Sequence, residues 1–112
     1  MVSNKRGLKR EPGYSKVWIK ELNIPAYLRD LNKIGLKIDI PMDMEVPTGE
    51  ILSLVILPEE AIKIPSFEIS VEVRWSRKDD PFTSLGVKIN PIKDSIYKKN
   101  YEKLIAFYRE NE

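Results

Sequence analysis

The chain has 112 residues, 42% of them apolar and 32% charged, a soluble composition with room for one modest core and none for a second domain. It contains neither cysteine nor histidine, which excludes disulfides, thiolate metal sites and thiol nucleophiles and removes the commonest general base and metal ligand. The net charge of +2 is unevenly placed: Lys5, Arg6, Lys9 and Arg10 meet no acid in the first ten residues, so the rest of the chain nets −2. An arm of this kind suits an anionic ligand, nucleic acid or an acidic membrane, or is a solvated tail.

After the arm, Glu11-Pro12-Gly13 is turn chemistry, and Tyr14 to Leu22 is predicted as a strand with Val17 and Ile19 on one face and Trp18 on the other. Asn23-Ile24-Pro25 breaks it. A second strand is expected through Ala26, Tyr27 and Leu28, reaching a polar turn at Asp30 to Lys33 and resuming with Ile34, Leu36, Ile38 and Ile40 on one face. Ile51 to Leu57 is the most apolar run, far short of the roughly 20 residues of a membrane-spanning helix, and is expected as a buried strand ended by Pro58.

Phe67 to Trp75 alternates cleanly, placing Ile69, Val71, Val73 and Trp75 toward a core and Glu68, Ser70, Glu72 and Arg74 outward. Lys78-Asp79-Asp80-Pro81 is predicted as the turn into a last strand through Leu85, Val87 and Ile89, closed by Pro91. From Asp94 or Ser95 the period becomes helical: Tyr97, Tyr101, Leu104, Ile105 and Tyr108 share a face that should pack on the strands. Five or six short strands separated by turns indicate a mainly β sandwich or barrel with a C-terminal helix.

Two constellations carry binding chemistry. Arg6-Gly7-Leu8-Lys9-Arg10 sets two guanidinium forks four residues apart, groups that pair with phosphate oxygens or a guanine edge and stack on purines. Asp30-Leu31-Asn32-Lys33-Ile34-Gly35 sits at a bend between strand segments; Asp30 can accept from a guanine or cap the turn, Asn32 both donates and accepts, and Gly35 permits close backbone approach. Each is also what an ordinary arginine pair or polar β-turn looks like. Arg74, on the exposed face, adds positive potential or is simply solvated. Glu59-Glu60 and Asp79-Asp80 are adjacent acids without companion ligands, so no metal site is expected.

Taken together, the two constellations resemble the PilZ family, whose members have an R-x-x-x-R arm before the first strand and a [D/N]-x-S-x-x-G turn on the second and third. Arg6 and Arg10 match the arm, Asp30 and Gly35 match the ends of the turn, and 19 residues intervene between Arg10 and Asp30, room for one strand and its return. Val71 to Trp75 followed by Leu85 to Ile89 is similar to the family's late strand pair. The family's serine is Asn32 here, which puts affinity in question.

The resemblance implies a six-stranded antiparallel PilZ-type β-barrel with a C-terminal helix, organised as one domain: a flexible basic arm at 1–13, a barrel at 14–91 and a helix at 94–110. It implies a receptor for cyclic di-GMP, with Arg6, Arg10, Asp30, Asn32 and Gly35 as ligand contacts, Arg74 nearby, and Lys5 bearing on whether one ligand or an intercalated pair is held. By the same resemblance the arm orders over the barrel on binding, and a bacterial protein partner in motility, flagellar or polysaccharide control receives the signal. Without a cofactor, a metal or a nucleophile and base pair, catalysis is not expected. No apolar stretch follows the basic N-terminus, so a cytoplasmic address is expected. A scaffold that has lost the ligand, or a small barrel binding RNA or single-stranded DNA, are the other readings; the acidic balance beyond the arm disfavours nucleic acid.

Overall fold

The computed structural model describes residues 15–110. Six strands, β1 (Lys16–Ile19), β2 (Ile24–Leu31), β3 (Gly35–Ile40), β4 (Ile51–Leu57), β5 (Phe67–Asp79) and β6 (Phe82–Ile89), are followed by helix α1 (Ser95–Glu110). Every neighbouring pair is antiparallel, and the order β1-β2-β3-β6-β5-β4 closes into a barrel, so no strand is left with an unpaired edge.

Alternation decides which residues enter the barrel. Val17 and Ile19, Leu36, Ile38 and Ile40, Leu52, Leu54 and Ile56, Ile69, Val71 and Val73, and Leu85 and Val87 are all buried in one core. Helix α1 adds Tyr101, Leu104, Ile105 and Tyr108 to that core. Its start is fixed by Asp94, whose Oδ1 accepts from the Ile96 and Tyr97 amides at 2.9 and 3.0 Å, satisfying two otherwise orphaned donors. Near its end the Tyr108 and Ser15 hydroxyls pair at 2.9 Å, joining the helix to the approach to β1.

The loop after β3 is held by Thr83, whose hydroxyl donates to the Met42 carbonyl at 2.7 Å and accepts from the Met44 amide at 3.1 Å. On the outer wall Asp39 accepts from the Ser84 hydroxyl at 2.6 Å and pairs with Arg29 at 3.1 Å, stitching β2, β3 and β6 together.

Several expectations are corrected in detail. The first strand ends at Ile19, and the chain turns over Lys20 to Asn23, where Asn23 takes φ 56°. Pro25 therefore does not break a strand but lies inside β2, paired with Trp18. The turn expected at Asp30 to Lys33 falls at Asn32 to Ile34, which leaves Ile34 in the turn and 75% exposed. β5 continues to Asp79, so that turn is reduced to Asp80 and Pro81, joined by a cis peptide.

The largest correction concerns Trp75. Its alternation with Ile69, Val71 and Val73 predicts a core residue, yet it is 41% exposed. The β5–β6 register shifts between Val73 and Trp75: Val73 pairs with Val87 and Trp75 with the next residue, Gly86, leaving Arg74 as the extra residue of a bulge. One inserted residue moves every later side chain to the opposite face. Tyr97, expected on the core face of α1, is 36% exposed, because burial on the helix begins only at Asn100.

Candidate ligand-binding site

An open cavity of about 590 Å³ lies on the outer wall of the barrel over β3, β5 and β6, capped by the β2–β3 turn. Strand register builds its floor. Asp30 on β2 is paired with Lys37 on β3, Lys37 with Gly86 on β6, and Gly86 with Trp75 on β5, so the four residues form one row across the sheet. Three inter-strand steps of roughly 4.8 Å make that row about 14 Å long. A neighbouring row runs from Gly35 through Lys88 to Glu72.

Glycine serves two different purposes here. At Gly35 a Cβ would lie 2.7 Å from the Val87 carbonyl oxygen, so β3 and β6 meet only because no side chain intervenes. At Gly86 a Cβ would fall 2.1 Å from Cε2 and Nε1 of Trp75, so the missing side chain is the space the indole lies in. The Arg77 guanidinium sits 5.4 Å from the centre of the Trp75 ring, within the range of a cation–π contact.

The turn is ordered by its own polar residues. Asn32 Oδ1 accepts from the Ile34 and Gly35 amides at 2.9 and 3.1 Å, and the Asn32 amide donates to the Gly35 carbonyl at 3.0 Å. A serine hydroxyl in this position closes the same kind of turn less far from the backbone; Asn32 keeps the turn and leaves its side-chain N–H₂ as the group it can offer a ligand. Asp30 spends Oδ1 on the Leu31 amide at 2.9 Å, leaving Oδ2 as an acceptor. Behind the turn, the Tyr101 hydroxyl donates to the Asn32 carbonyl at 2.5 Å. Burial, with the Asp30 carboxylate nearby, pushes the Tyr101 phenol well above its ordinary range, so it stays a donor.

Asp30, Asn32, Gly35 and Arg74, four of the residues singled out in the sequence, thus line one cavity. Lys5, Arg6 and Arg10 lie outside the described residues. Lys37 and Lys88 line the cavity with Arg74 although no motif in the sequence singles them out, and Trp75, expected in the core, forms part of its wall. The two lysines occupy outward positions of β3 and β6, a signal visible in the alternation, but that they stand on one surface follows from strand pairing alone. Among the described residues no group of three or more acids could hold a metal ion, and no helix is long and apolar enough to cross a membrane.

A closed six-stranded barrel with a terminal helix and a cationic, aromatic-walled cavity on its outer wall defines a small β-barrel domain with an open surface site. Residues 12–107 match the sequence model of the PilZ domain, and the chain belongs to that family. PilZ domains are cyclic di-GMP receptor and adaptor domains rather than enzymes. No curated protein and no solved structure matches the chain significantly.

Proposed function

We propose that this chain is a cyclic di-GMP receptor that responds to its ligand by closing the arm of residues 1–13 over the outer wall of the barrel and signals to a protein partner. The observation that carries this reading is the convergence of Asp30, Asn32, Gly35 and Arg74 on one open cavity, although they come from the end of β2, the turn after it, the start of β3 and β5. The Asp30 carboxylate suits the N–H edge of a guanine, and the Asn32 amide suits its carbonyl or a phosphate oxygen. Trp75 offers a flat apolar wall for a purine. Lys37, Arg74 and Lys88 meet the two negative phosphates of the ring.

Arg6 and Arg10 supply the other side of the site in this reading, through guanidinium contacts to guanine and phosphate, with Lys5 beside them. A segment that orders on binding changes the surface the domain presents, and that surface, ligand included, is what a partner in motility or polysaccharide control would recognise. The domain acts in the cytoplasm in this reading and works by binding alone.

Isothermal titration calorimetry of the purified chain with cyclic di-GMP, with GTP and a short single-stranded RNA as controls, tests this. Saturable heat with cyclic di-GMP alone supports the receptor reading. Silence at high micromolar ligand rejects it and favours a protein-binding scaffold.

A further inference from the structure

The turn bearing Asp30, Asn32 and Gly35 is fastened to a helix 69 residues further along the chain by a single side chain, since Tyr101 Oη donates to the Asn32 carbonyl. Tyr101 is only 4% exposed. Its ring packs edge-on against the buried Phe67 of β5, with centroids 6.1 Å apart and planes at 67°. Leu104 and Ile105, just beyond it on α1, are in the barrel core. The hydroxyl is therefore presented from a fixed platform, while the turn it holds is exposed and is otherwise tied down by its own short-range bonds and, one residue before Gly35, by the Ile89 amide, which donates to the Ile34 carbonyl at 2.9 Å.

Asn32 stands at the meeting point of these restraints. Its main-chain carbonyl is held from α1, and its side-chain oxygen holds the Ile34 and Gly35 amides. The direction in which its side-chain N–H₂ and the Asp30 carboxylate face the cavity then depends on where the Asn32 peptide is pinned. We infer that Tyr101 is a positioning residue for the ligand site, its hydroxyl setting the main chain of the Asp30–Gly35 turn from outside the cavity. Tyr101 does not line the cavity and needs no ligand contact to act. A turn held in place before the ligand arrives loses less entropy when it binds. Linkage makes the relation reciprocal: a partner that shifts α1 alters affinity, and the ligand in turn tightens the seating of α1.

The ligand's identity in this inference rests on the receptor reading, so the test separates the two. Tyr101→Phe keeps the ring against Phe67 and removes only the hydroxyl, and Tyr97→Phe, half-exposed on the same helix, is the control. Two measurements are made on each: ¹H–¹⁵N spectra of the ligand-free protein, and calorimetric affinity for cyclic di-GMP. In Tyr101→Phe the Asn32, Ile34 and Gly35 amide resonances are expected to move while those of β4 stay in place, and the dissociation constant to rise roughly 5- to 10-fold, the net effect of one lost hydrogen bond. Tyr97→Phe is expected to change neither.

Turn resonances that do not move in Tyr101→Phe would overturn the positioning role. Moved resonances with unchanged affinity would overturn its relevance to binding. Wild-type protein that binds no cyclic di-GMP would overturn the receptor reading, while the ligand-free spectra would still decide whether Tyr101 sets the turn.

Discussion

The indole of Trp75 occupies the volume that any side chain on Gly86 would need, a Cβ there lying 2.1 Å from two of its ring atoms. The two residues are cross-strand partners on the outer face, so the glycine's role is to make room and not to adopt an unusual backbone angle. Gly86→Ala is expected to lift the indole off the sheet. Because the ring is half-exposed and can swing away, the stability cost should be about 1 kcal/mol, the low end for overpacking. In a Trp18→Phe background the remaining tryptophan emission should shift to the red, and affinity for cyclic di-GMP should fall several-fold, about 1 kcal/mol for the loss of a flat stacking surface.

Gly35→Ala should behave differently. Its clash is with the Val87 carbonyl at 2.7 Å, a backbone atom of β6 that cannot move aside without disturbing the β3–β6 ladder. A loss of roughly 1–3 kcal/mol is expected in urea unfolding, together with weaker binding. Equal stability of Gly35→Ala and wild type would show that the two strands are less closely apposed than described.

Lys37 and Lys88 are predicted to act through charge more than through geometry. Each replaced by alanine should weaken cyclic di-GMP binding by about 2- to 10-fold at low salt, and the difference from wild type should shrink as salt rises and screens exposed charges. Titrations at two ionic strengths check this.

Arg6→Ala and Arg10→Ala should each weaken binding by roughly 10- to 100-fold, since a charged hydrogen bond contributes about 1.5–3 kcal/mol. The melting temperature without ligand should stay where it is. Unfolding of either variant with affinity spared would make the arm structural and not part of the site.

Much of the architecture was legible because alternation is a local property. Ile38 and Ile40, Leu52, Leu54 and Ile56, and Leu85 and Val87 face the core as their spacing requires, and Asp94 caps the helix that its position announces. The bulge at Arg74 was not legible, because an inserted residue leaves no mark on a run that continues to alternate; it moved Trp75 from the expected core to the cavity wall. Strand register was equally silent, so Lys37 and Lys88 could not be assigned to the surface that Arg74 and Asp30 share. Tyr97 misled for another reason. Helical spacing reports which face a residue is on, but not whether a barrel wall lies opposite that turn of the helix.

With cyclic di-GMP bound in the cavity over β3, β5 and β6 as proposed, Trp75 is the reporter built into its wall. Titrating cyclic di-GMP into the Trp18→Phe protein while following the single remaining tryptophan locates the ligand directly. A saturable change in Trp75 emission is expected, with the same midpoint as the calorimetric heat and lost in Asp30→Ala. Calorimetric binding that leaves Trp75 emission unchanged would place the ligand elsewhere on the domain and rule this cavity out as its site.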